Sequence, residues 1–207
     1  MLDLYTAATP NGKKVPILLA ELGLPYEMHV IDFSKKEQKS AAFLAINPNG
    51  KIPALVDSEG ENGERVVLFE SGAILQYLAE RAGKLLGKNA AGRAEVMSWL
   101  FRQVGGPGPM FGQAASFSRE QPPNKPAAEK FLNESKRLAK VLDDRLDHRQ
   151  FIAGDYSIAD IACYPWFEGI TKFEPSILDG LPEVEGWMRR MADRPAVQKG
   201  MRLGRSE

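Results

Sequence analysis

A small α/β domain followed by an all-helical domain is the architecture this sequence predicts, on three observations. Strand, helix and strand patterns follow one another closely within residues 2–33. No strand pattern of comparable quality follows Glu70. From residue 90 onward, apolar residues recur at helical spacing.

Each element has its own reason. Residues 2–6, "LDLYT", alternate as a short strand. "TPNG", Thr9 to Gly12, is a turn, and a helix is expected to begin near Lys14, with Val15, Leu18, Leu19 and Leu22 on one face and Gly23 as its stop. "YEMHVIDF" (26–33) is β-branched and aromatic, so the closely joined strand, helix and strand form a βαβ unit with a parallel pair. A lysine-rich stretch leads to a short helix around 41–46 and a Pro/Asn/Gly turn. "KIPALVD" and "RVVLFE" are strands flanking a polar hairpin loop, and "SGAILQYLAERAG" is a helix carrying Ile74, Leu75 and Leu78. This order makes residues 1–83 a thioredoxin-like domain. Residues 82–92 read as a linker, and 90–207 as an all-helical C-terminal domain. There Met97, Leu100, Phe101 and Val104 form one stripe, "GGPGPMFG" is expected to break it, and Phe131, Ser135, Leu138, Leu142 and Leu146 form the next. Trp99, Trp166 and Trp187 read as core.

Composition narrows the function classes. The 207 residues are 43% hydrophobic and 26% charged, as in an ordinary globular protein. Lysine plus arginine and aspartate plus glutamate number 27 each, so no net field draws nucleic acid or an anionic membrane. Cys163 is the only cysteine, which rules out an intrachain disulfide and a CxxC pair; it reads as packed in an apolar helix. The first residues lack a signal-peptide pattern and no apolar run approaches the ~18 residues of a membrane span, so a cytoplasmic location is expected. His29 lies in a strand and His148 at a helix end, no other ligands are expected to cluster with them, and no metal site is expected.

Two short stretches suggest a ligand. Pro53 falls one residue into an expected internal strand, where proline cannot donate to the ladder. A cis bond before it would turn the Ile52 backbone into a cleft, available to an extended peptide. Glu70 and Ser71 end a strand and open a helix. Ser71 as N-cap with the first-turn amides would take a carboxylate, and Glu70 an ammonium, together the head of an α-amino acid. Further on, Ser157 and Asp160 in "SIAD" form a capping-box pair, a folding signal.

"NPNGKIPAL", "ESGAILQYL" and "GDYSIADIA" resemble the glutathione transferase superfamily over nearly the whole chain. "TPNGKKV" with "WLFRQVGGPGPMFGQ" is similar to the bacterial nu-class and related disulfide-bond oxidoreductases. The resemblance implies the glutathione transferase fold, a homodimer, and glutathione as co-substrate. By it, Glu70 and Ser71 hold the γ-glutamyl head, Ile52 beside Pro53 pairs with the cysteinyl backbone, and Gln38 and Lys51 reach the glycine end. Lys130 falls where the nu-class pattern has an arginine that reaches a partner's ligand, although a lysine lacks the bidentate fork.

A thiol becomes reactive when donors, positive charge or a helix N-terminus stabilise its thiolate. The first serine is Ser34 and the one cysteine is Cys163, so neither type of chemistry is available at the first turn; Thr9, Asn11 and Tyr5 remain. In the nu-class pattern the matching threonine and asparagine line the sulfur site. The expectation is a glutathione-dependent disulfide reductase that uses a bound glutathione thiolate held by Thr9 and Asn11, with no protein nucleophile. The alternatives are conjugation of glutathione to electrophiles, peroxidase activity, or a non-catalytic binding protein of the same fold.

Overall fold

In the computed structural model, which describes residues 1–122 and 124–204, the first strand alternates as its sequence does. β1 (Leu2–Thr6) buries Leu2, Leu4 and Thr6 and leaves Asp3 and Tyr5 half-buried. It pairs in parallel with β2 (Glu27–Val30), Leu4 beside Met28, which requires a crossover. α1 (Pro10–Leu22) supplies it. On its other side β1 runs antiparallel to β3 (Ala54–Asp57), and β3 antiparallel to β4 (Val66–Phe69), giving the order β2-β1-β3-β4. All four residues of β3 are buried, as its central place demands. α2 (Ala41–Leu44) is shorter than the expected 41–46, and α3 (Ser71–Ala82) follows β4. Leu4, Val15, Leu18, Leu55, Ile74, Leu75 and Leu78 are fully buried and make the core of this unit.

Two expectations are corrected here. α1 starts at Pro10 rather than near Lys14, because Thr9 caps it and proline is preorganised for the first helical turn. Pro53 lies just before β3 instead of inside it; the Ile52–Pro53 bond is cis, as expected. The last helix, α9 (Pro195–Met201), packs on α1, so the chain divides into Met1–Lys84 with the chain from Pro195, and Leu85–Arg194. The expected division into 1–83 and 90–207 differs from this at its C-terminal end. Glycine permits the contact: a Cβ on Gly200 would come within 2.5 Å of Ile17.

α1 also solves a local problem. Pro16 lies inside it and lacks the N–H that would bond the Gly12 carbonyl. The Thr6 hydroxyl, from the end of β1, donates to that carbonyl instead at 2.8 Å. Gly12 fits because it has no side chain: a Cβ there would lie 1.9 Å from the Ala7 carbonyl oxygen.

The second unit is built of α4 (Ala90–Gly105), α5 (Pro107–Arg119), α6 (Lys125–Leu146), α7 (Ile158–Phe173) and α8 (Pro182–Ala192). The expected break at "GGPGPMFG" is confined to Gly106; Pro107 opens α5, where its missing N–H costs nothing. The α4 stripe is Val96, Leu100 and Gln103, while Phe101, expected inside, is 65% exposed. Of the tryptophans only Trp187 is fully buried. The Ser157–Asp160 capping box is present. Asp160 does more than cap: it accepts from the backbone N–H groups of Ile152 and Ser157, each at 3.0 Å, from the Ser157 hydroxyl, and from Trp187 Nε1 at 2.9 Å. α8 has no side-chain cap of its own, and Asp143 of α6 accepts from Glu183 and Val184 N–H in its place.

Candidate functional site

The first turn of α1 is organised by Thr9. Its backbone is extended, and its Oγ accepts the Gly12 N–H at 3.1 Å. An accepting hydroxyl still has its hydrogen to give, so capping does not remove Thr9 as a donor. Asn11 lies in the same turn, half-buried, as does Thr9. A helix N-terminus here adds partial positive charge. The turn can therefore present two neutral donors and a helix dipole to an anion.

Ser71 was expected as the N-cap of α3 but is its first helical residue; Glu70 occupies the cap position without capping through its side chain. Glu70 has φ 70 and ψ 117, costly for a residue with a Cβ, and such outliers persist where the surroundings enforce them. Its exposed carboxylate makes no hydrogen bond or ion pair among the described residues. Ser71 is buried, and its Oγ accepts from Lys14 Nζ at 3.2 Å.

The loop before β3 is held by Asn47, only 2% exposed, whose side-chain amide donates to the Lys51 carbonyl at 2.5 Å and whose Oδ1 accepts from Asn49 N–H at 2.9 Å. Gly50 needs its left-handed φ of 62 there, and a Cβ on it would meet the Gln38 carbonyl at 3.0 Å. That close approach sets the Gln38 turn against the Lys51 segment. Gln38 Oε1 is buried with no hydrogen-bond partner among the described residues. Lys51 is exposed. Ile52, outside any strand, makes no backbone hydrogen bond among the described residues.

Residues 1–80 match the model of the glutathione S-transferase N-terminal domain, and residues 108–195 that of the C-terminal domain. The chain is 45% identical to the disulfide-bond oxidoreductase YfcG of Escherichia coli, over 97% of this chain and 94% of that protein. The chain belongs to the glutathione S-transferase family. A family member from Burkholderia graminis, solved with two glutathione molecules per subunit, is similar at 42% identity and a TM-score of 0.95, over 100% of this chain and 89% of that one. One from Pseudomonas putida, solved with one glutathione disulfide per subunit, is similar at 43% and 0.93, over 98% and 91%.

Against that family background, Thr9, Asn11, Gln38, Lys51, Ile52, Pro53, Glu70 and Ser71 all lie in the first unit, whereas Lys130 lies on α6 of the second. Lys130 borders an open groove of about 520 Å³ with Met110, Phe131, Asn133, Glu134 and Arg137. Tyr5 stacks on His29 at 4.6 Å and meets Phe43 edge-on; burial, then the Asp3 carboxylate, raise its pKa. Neighbouring Thr6 points its hydroxyl to α1, so strand alternation puts Tyr5 on the other face of the sheet. The expectation that nothing clusters around His29 is corrected: Asp3 Oδ1 lies 2.9 Å and Glu27 Oε1 4.0 Å from its Nε2. These three could hold a metal ion, their ligand atoms lying within 4.8 Å of one another. They meet because β1 and β2 pair in parallel with Asp3 beside Glu27. The sequence reading gives Lys14, Asn47 and Thr6 no role in the site, and Gly12 only that of a turn residue. For Lys14 a signal existed: it shares an α1 face with Ile17 and Leu18, both fully buried.

Proposed function

We propose that the protein is a glutathione-dependent disulfide reductase whose nucleophile is the ligand's own sulfur. The observation that carries this is the state of the chain's one cysteine: Cys163 is fully buried in α7, and a disulfide in solution cannot reach it. The polar turn at Thr9 and Asn11 supplies hydrogen-bond donors in place of a nucleophile. Tyr5, the rival donor, is disfavoured by its orientation toward His29 and its raised pKa. The name of YfcG and the glutathione disulfide in the Pseudomonas putida neighbour support disulfide chemistry.

In this reading Glu70 takes the ammonium and Ser71 the carboxylate of the γ-glutamyl head. The Ile52 backbone, beside Pro53, pairs with the cysteinyl residue, and Gln38 and Lys51 meet the glycine carboxylate. The thiolate, held by Thr9 and Asn11, attacks one sulfur of a substrate disulfide. The S–S bond breaks, the other sulfur leaves as a thiolate and takes a proton, and a mixed disulfide with glutathione forms. A second glutathione thiolate attacks the glutathione sulfur of that mixed disulfide, releasing the second substrate thiolate and leaving glutathione disulfide. One disulfide is reduced for two glutathione molecules oxidised, and no step calls for a metal ion. The wider proposal is a cytoplasmic homodimer in which residues 1–83 bind glutathione, residues 90–207 form an all-helical domain, and Lys130 reaches the partner's ligand.

The test is Cys163→Ser, assayed with glutathione and 2-hydroxyethyl disulfide. Turnover should equal that of the parent; a folded variant without activity would end the reading. An aryl halide assayed in parallel measures conjugation, which should be the slower reaction. If it is the faster, the alternative of a conjugating transferase holds instead.

A further inference from the structure

Lys14 is the buried cation that the mechanism above leaves unused. It is 1% exposed and ranks among the largest fully buried side chains, yet its Nζ lies 3.2 Å from Ser71 Oγ. A lysine ammonium can only donate, so the contact occupies a lone pair of the serine oxygen. The single hydroxyl hydrogen of Ser71 is then directed elsewhere. Ser71 is the first residue of α3, and Glu70 before it gives the helix no side-chain cap. The first amides of a helix so placed attract negative charge. A buried positive charge behind the same serine adds to that attraction over a short distance and in a poorly screened place.

We propose that Lys14 is a positioning residue for the α-carboxylate of the γ-glutamyl head, acting through Ser71. It fixes which way the serine hydroxyl points and places a full positive charge behind it. This rests on the assignment of Ser71 to that carboxylate. A lysine with a purely structural part would affect every ligand of the site alike. Lys14 instead distinguishes glutathione from an analogue that lacks only the α-carboxylate, 4-aminobutyryl-cysteinyl-glycine.

The experiment is titration calorimetry of both tripeptides against the parent protein, Lys14→Met, Ser71→Ala and the double variant. The parent should bind glutathione at least tenfold tighter than the analogue, the order expected for a hydrogen bond to a charged group. Lys14→Met should weaken glutathione by about tenfold and the analogue by less than about twofold. In the Ser71→Ala background the lysine substitution should have a smaller further effect on that ratio, since the hydroxyl it orients is gone and only its charge remains. If the parent distinguishes the two ligands and Lys14→Met keeps the distinction, the role of Lys14 is refuted while the head-group assignment stands. If the parent does not distinguish them, the head-group assignment fails and the proposal with it. Should Lys14→Met not fold, Lys14→Gln, which keeps a donor without the charge, should still narrow the distinction between the two ligands, and an unchanged ratio in it refutes the charge behind Ser71.

Discussion

At the scale of single residues, Thr9 and Glu70 each combine a structural cost or duty with a place in the site. Thr9 Oγ caps α1 through Gly12 N–H, so Thr9→Ala should lower stability by about 0.5–2 kcal/mol. It should also raise the pKa of the bound glutathione thiol and cut reductase kcat/KM by about tenfold, because a donor to the thiolate is lost. Thr9→Ser keeps the cap and the donor and should behave like the parent. Ultraviolet thiolate absorbance against pH is the readout, and an unchanged thiol pKa in Thr9→Ala would remove Thr9 from the mechanism. Glu70 holds a positive φ that glycine adopts without penalty. Both Glu70→Ala and Glu70→Gly should lose glutathione affinity, with the glycine variant about 1 kcal/mol more stable by denaturant unfolding. Equal stability of the two would mean that the backbone there is not under strain.

At the scale of elements, the junction of β1 and α1 can be tested as a coupled set. Thr6→Val leaves the Gly12 carbonyl without its donor and should cost about 1–3 kcal/mol. Adding Pro16→Ala restores a backbone N–H four residues on from Gly12, and the double variant should regain most of the loss. Simple additivity of the two changes would show that the hydroxyl and the missing N–H are unrelated. The same junction shows what was legible in advance. The alternation of β1 and the stripe Val15, Leu18, Leu19 announce themselves, because burial imposes a period on residue type. The true start of α1 does not, since Thr9, Pro10, Asn11 and Gly12 are all turn formers, and only backbone geometry separates a turn from a cap followed by a first helical turn. α5 was hidden for a related reason: glycines and prolines crowd its start, yet Pro107 stands where a helix tolerates it. Glu70 and Ser71 could be found by type, but which of them caps α3 could not. Lys14 was masked by its charge, which argues for a surface until its neighbours on the helix are considered.

At the scale of the whole molecule, Asp160 sets a pH dependence. Burial pushes its carboxyl up to about 6, against the hydrogen bonds from Ile152, Trp187 and Ser157 that favour the ionised form. In the unfolded chain the group titrates near 3.8, so between these values the unfolded state binds fewer protons and stability falls as pH rises. The loss should reach on the order of 3 kcal/mol above pH ~6 and then level off. Asp160→Asn cannot titrate and should lack this component, although it is less stable overall because an amide nitrogen would face N–H donors. Urea unfolding of both proteins from pH ~4 to ~7 should show the parent's margin over the variant shrinking as pH rises. A constant margin would contradict this.

The seat of α9 against α1 bears on how the polypeptide can be cut or extended. Gly200 meets Ile17 with no room for a methyl group, so a fragment ending at Lys84 would bare the back of the very helix whose tip presents Thr9 and Asn11. An excised N-terminal piece would therefore have to be supplied with the residues from Pro195 as a separate peptide or through a graft. For the same reason a purification handle is better placed before Met1 than fused close behind Met201.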